Sequence, residues 1–87
     1  PDADIRFYRT NHGSEIDFLI LIPGSLIAVE CKASKAPALS KGTFSAIHDL
    51  KPEHTFIVSP VEKGYPVRKD IDVVSLNELT DRIWQMM

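Results

Sequence analysis

Eighty-seven residues, 44% of them hydrophobic and 25% charged, are enough for one small domain with one core. No apolar run approaches the ~20 residues that a membrane-spanning helix needs, no basic start leads into an apolar signal segment, and the single Cys31 excludes an internal disulfide. A cytoplasmic protein with no membrane partner is therefore expected. Three scattered histidines give no Cys/His zinc pattern, and a net charge of −2 speaks against nonspecific nucleic-acid binding on a basic surface.

The chain opens at Pro1 without a methionine and turns to strand-like sequence within a few residues. A single domain, residues 1–87, taken from the C-terminal part of something longer is the expectation. Ile5-Arg6-Phe7-Tyr8-Arg9 alternates apolar and basic side chains in the manner of a half-exposed strand. Asn11-His12-Gly13 supplies turn residues that tolerate positive φ, so this strand should fold back on the next, with His12 an ordinary solvated turn residue.

Two apolar, β-branched runs, residues 15–22 and 26–33, flank Pro23-Gly24 and read as a hairpin. Side chains alternate between faces, so Glu15 and Asp17 share one face of the first strand, with Ile16, Phe18 and Ile20 on the other. Glu30 and Lys32 share a face of the second strand, with Cys31 turned away as a small buried hydrophobe. If Ile22 pairs with Ser25, Asp17 stands opposite Glu30 and Glu15 opposite Lys32, with Cβ atoms ~5 Å apart. Facing carboxylates destabilise a passive sheet unless a cation, a proton or Lys32 offsets them. The four charges are then either a salt-bridge lattice on a solvent-facing sheet surface or a site.

Residues 33–38 form an exit loop, Ser40 stands where an N-cap would, and residues 41–51 read as a helix with Phe44, Ile47 and Leu50 on its apolar side. Pro52 stops it, and residues 54–59 make a short buried strand. A strand reached through a helix predicts parallel pairing. Glu62-Lys63-Gly64-Tyr65-Pro66 reads as a loop, residues 71–76 as another strand, and Asn77 as the cap of a closing helix with Leu79, Ile83 and a core Trp84. The order is β-β-β-α-β-β-α, an α/β sheet of mixed direction.

Asp17 and Glu30 together supply the minimum protein share of a Mg²⁺ site, since that small hard cation takes oxygen ligands and keeps several waters. The main-chain carbonyl of Cys31 adds a third oxygen. Lys32 would orient the attacking water or stabilise charge on a phosphodiester, and Glu15 would act as a further ligand or steady Lys32. Lys35 and Lys41 extend a locally basic stretch along which a phosphate backbone could pass.

Asp17, twelve intervening residues, and Glu30-Cys31-Lys32 resemble the Asp…Glu-x-Lys signature of the PD-(D/E)xK nuclease superfamily. More narrowly, Phe7-Tyr8-Arg9, Gly13-Ser14-Glu15-Ile16-Asp17-Phe18 and Glu30-Cys31-Lys32-Ala33-Ser34 resemble the nuclease-like C-terminal domain of bacterial and archaeal AAA-type ATPases, a domain of unknown function. The resemblance implies a restriction-endonuclease-like core and a Mg²⁺- or Mn²⁺-dependent DNA endonuclease or DNA-binding module, with Asp17 and Glu30 on the metal and Lys32 on the water. It further implies an ATPase domain on the same polypeptide, and it leaves the oligomeric state open. The helix that often precedes the first strand in that superfamily, with its acidic residue, has no counterpart ahead of Ile5. Members that keep the fold without cutting offer the alternative, a catalytically inactive interaction module.

Overall fold

The computed structural model describes residues 3–8 and 16–87. Six strands and two helices follow one another as β1 (Asp4–Phe7), β2 (Phe18–Ile22), β3 (Ser25–Cys31), α1 (Lys41–Leu50), β4 (His54–Val58), β5 (Tyr65–Arg68), β6 (Ile71–Val74) and α2 (Leu76–Met86). They form one mixed sheet in the order β1-β2-β3-β4-β6-β5. β3, β4 and β6 run parallel, while β1 against β2, β2 against β3, and β5 against β6 are antiparallel.

The mixed α/β class, the β2–β3 hairpin with Ile22 opposite Ser25, and the parallel β3–β4 pair agree with expectation. The expected order lacks one strand, β5, in the stretch read as a loop. Pro66 suggests a loop, but an edge strand with an irregular register tolerates proline, and β5 is both. Its turn into β6 rests on Asp70 at φ 64, a conformation that aspartate adopts more readily than most residues.

The sheet is covered on both sides. Against α1 lie Ile16, Ala28, Ile57, Ile71 and Val73, closed by Ala46, Phe44 and Ile47. Against α2 lie Ile20, Ile22, Ile27, Val29, Phe56 and Val74, closed by Leu79 and Ile83. Arg82 of α2 reaches Asp72 Oδ2 at 3.4 Å and sets its guanidinium over the Phe56 ring, while His54 Nε2 meets the same oxygen at 2.9 Å. Between α2 and β1 an apolar groove stays open, lined by Ile5 and Trp84 among others. Trp84, expected in the core, is 70% exposed, and Phe7 on β1 is 87% exposed. Among the described residues no helix is long and apolar enough to cross a membrane.

Both helices are capped by serine. Ser40 Oγ accepts the Thr43 N–H at 3.2 Å, and α1 closes on Lys51 in the left-handed region, its N–H donating to the Ile47 carbonyl. α2 starts two residues earlier than Asn77 would place it. Ser75 and Glu78 form a reciprocal capping box, whose spacing outweighs the lone Asn77 as a start signal.

Glu78 Oε1 accepts main-chain N–H groups from both Ser75 and Gly64 at 2.8 Å, tying α2 to the approach to β5. These bonds hold its carboxyl below the ordinary value, the Ser75 main-chain bond contributing most, against a partial desolvation that raises it. A folded-state value below the unfolded one adds stability that is present above the unfolded value and lost as pH falls through the folded one. Glu78→Gln should therefore flatten the acid limb of stability against pH, and the gap between variant and wild type should close as pH drops. A gap independent of pH in urea melts would contradict this.

A Cβ on Gly64 would clash with the Val73 carbonyl oxygen and lie 3.0 Å from Val74 Cα, both main-chain atoms of an interior strand. Neither can yield cheaply, so Gly64→Ala should destabilise the fold by about 1–3 kcal/mol, the ordinary cost of overpacking. An unchanged urea midpoint would show that the β5 approach shifts freely.

Candidate functional site

Strict alternation places Ile16, Phe18 and Ile20 on one face, and the structure does not keep it. Phe18 and Ile20 pack on the α2 side, while Ile16 packs with Ala28 and Ala46 on the α1 side. Registered β2–β3 pairing ends at Phe18 opposite Val29, yet the Asp17 N–H also donates to the Val29 carbonyl at 3.1 Å. Two residues against one is the arrangement of a β-bulge, which re-aims the side chains around it. The bulge lets Ile16 reach the α1-side core. It also takes Asp17 out of direct opposition to Glu30: the Asp17 carboxylate instead accepts the Cys31 N–H at 2.6 Å, at the carboxyl end of β3.

Glu30 is not on a solvent-facing surface. It is 3% exposed, paired in register with the buried Ile57 on the side that α1 covers. A carboxylate there must be hydrogen-bonded or paired. Thr43 Oγ1 donates to both of its oxygens, at 3.1 and 3.0 Å, and the Lys32 amine lies 3.9 Å from Oε1. This rules out the solvated salt-bridge lattice as an account of Glu30. The Lys32 main chain stays in the sheet, its N–H donating to Val58 at 2.8 Å, and its side chain is 30% exposed. A charged amine with one end near a buried carboxylate and the other open to solvent suits a group that meets a ligand.

Cys31, expected to be buried, is exposed because β3 ends there. Partial desolvation pushes its thiol up from the ordinary value, and the negative charges of Asp17 and Glu30 push it further. Both carboxylates are thus within electrostatic reach of one residue. Mg²⁺ and Mn²⁺ prefer oxygen to sulfur ligands, so the donors that matter at this position are oxygens. With the Cys31 side chain lie Lys32, Ser59, Ser75 and Asn77, around a cleft of about 370 Å³ at the carboxyl ends of β3, β4 and β6. The Ser59 hydroxyl donates to the Ser34 carbonyl and pins the loop after β3 to the end of β4.

Asp17, Glu30 and Lys32 are therefore brought to one end of β3, with Cys31 between the two carboxylates. Glu15 and His12 lie outside the described residues. Lys35 and Lys41 are exposed, on the loop after β3 and at the start of α1. Among the described residues no three His, Cys, Asp or Glu side chains gather as a metal cage. A two-carboxylate oxygen set still fits Mg²⁺ or Mn²⁺, because Mg²⁺ is held by one or two carboxylates and retains water. Thr43 escaped the reading of the sequence. Its signal, a polar residue three positions after an N-cap serine and level with the buried Ala46, is one that any capped helix could carry.

No curated protein and no solved structure matches the chain. A family model does, over residues 1–79, so that Asp17, Glu30, Lys32 and Thr43 all fall within the matched region. The chain belongs to that family, the domain of unknown function DUF4143.

Proposed function

We propose that this domain is a nuclease-like module with a restriction-endonuclease-like core, acting on DNA phosphodiesters with Mg²⁺ or Mn²⁺ and working beside an ATPase domain of the same polypeptide. The observation that carries the reading is Glu30: a carboxylate 3% exposed within a sheet, beside an amine and next to a second carboxylate that a bulge has re-aimed. An apolar residue would fill that core position at lower cost, so the charge favours a chemical role.

Asp17, Glu30 and the Cys31 carbonyl would hold the cation, which when bound supplies Lewis-acid polarisation of the phosphodiester and a more acidic water. Lys32 sets its amine 3.9 Å from Glu30 Oε1 at the end of β3, where it would orient a water or stabilise charge developing on a phosphate. Lys35 and Lys41 offer exposed cations to the phosphates on either side.

The test is cleavage of linear and branched DNA with Mn²⁺ or Mg²⁺. Asp17→Asn keeps an oxygen for the Cys31 N–H, so it should fold while losing cleavage. Lys32→Ala should lower kcat at least about 100-fold, the scale for removing one transition-state donor. Cleavage that persists in Asp17→Asn would sink this assignment.

An interaction module is favoured by a different observation. Ile5, Phe18, Ile20, Leu79, Ile83 and Trp84 line an apolar groove of about 300 Å³ on the α2 side. Exposed apolar surface of this kind marks contact sites. On that reading Glu30→Gln leaves function intact while Trp84→Ser breaks association.

A further inference from the structure

Thr43 sits in the first turn of α1, with none of its surface exposed, and its hydroxyl touches both oxygens of Glu30. Thr43 donates, and its single proton is shared between Oε1 and Oε2. Ser40 Oγ lies 3.3 Å from the Thr43 hydroxyl and accepts the Thr43 N–H. The helix cap and the carboxylate are thereby one hydrogen-bonded chain, Ser40 to Thr43 to Glu30.

That chain is costly to build for packing alone. Threonine is a weaker helix former than alanine, and a buried hydroxyl needs a partner. Ala46, one turn on, fills the same layer without either penalty. What the hydroxyl adds is a restraint on rotation of the Glu30 carboxylate. Solvent cannot replace it, because Thr43 is fully buried.

We infer that Thr43 is a positioning residue: it clamps the Glu30 carboxylate from the α1 side and fixes the orientation in which that carboxylate meets a divalent cation. The inference rests on the metal-binding reading proposed above. It makes the N-terminal turn of α1 part of the site, although Thr43 itself touches no metal or substrate. Partners of this kind orient ligands, and their removal costs on the order of 10–100-fold in metal affinity.

The probe is Mn²⁺ alone, titrated into the purified protein and followed by the electron paramagnetic resonance signal of the free ion. Wild type should bind, Glu30→Gln should not, and Thr43→Val should bind at least about tenfold more weakly, with Thr43→Ser restored to within a few fold of wild type. Thr43→Val binding as tightly as wild type, while Glu30→Gln loses the ion, would overturn the role of Thr43 and leave the metal site standing. A wild-type protein that binds no Mn²⁺ would overturn both. A second measurement needs no variant. In nuclear magnetic resonance spectra of wild type titrated with Mg²⁺, the Glu30 side-chain carboxyl carbon and the Thr43 methyl should move with one midpoint. A Thr43 methyl that stays fixed while Glu30 moves would count against the clamp.

Discussion

A carboxylate cannot leave water without partners, and Glu30 has left it almost completely. Its neighbours in the sheet, Ile57 in register and Ala28 on the same face, offer nothing polar in their side chains. One donor comes from above the sheet, and the topology provides it. A crossover from β3 to the parallel β4 brings the following helix back with its N-terminus over the carboxyl end of β3. Ser40 fixes where that helix begins, and Thr43, three residues on, meets Glu30. Capping, helix placement and burial of the charge are one arrangement, and none of the three stands without the others.

The bulge at Asp17 answers a second conflict. Regular alternation would put Ile16 on the same side as Phe18 and Ile20, away from the α1-side cluster it completes, and would set Asp17 squarely against Glu30. One added residue on the bulged strand resolves both, since Ile16 turns to Ala28 and Ala46 and the Asp17 carboxylate finds the Cys31 N–H. The Asp17 side chain is thereby held by the main chain at the end of β3. Two negative groups can then share one strand end without standing at the closest cross-strand distance.

Much of this was legible in residue order. The hairpin register followed from a two-residue turn between apolar runs, and the parallel β3–β4 pair from the intervening helix. The α1 cap followed from Ser40 and its stop from Pro52. What failed had physical reasons. β5 hid behind Pro66 because proline counts against a strand everywhere except at an edge or an irregular register, and only the sheet order says which strand is the edge. The bulge hid because alternation is a property of regular pairing, and the need of Ile16 for the α1-side core is a tertiary fact. Trp84 misled in the opposite sense: its place on the apolar stripe of α2 is real, but it lines an open groove with Ile5, Phe18 and Ile20 rather than a closed core, so the indole stays 70% exposed. Thr43 could not be paired with Glu30 by any local rule, being thirteen residues away across a crossover.

The two unusual features of the domain lie on opposite faces of the sheet. Glu30, Lys32 and Thr43 meet on the α1 side at the carboxyl end of β3, with Asp17 bonded to the Cys31 N–H there, whereas the exposed Trp84 and the groove it lines with Ile5 lie toward β1 and α2. No side chain described here serves both. A fold retained only for docking would need the second face and gains nothing from a buried Glu30, which an apolar side chain could replace at a profit in stability. A fold retained only for chemistry would need the first and gains nothing from an uncovered indole. The separation means that surface contact on the α2 side and chemistry on the α1 side can coexist in one small sheet, each alterable without disturbing the residues of the other.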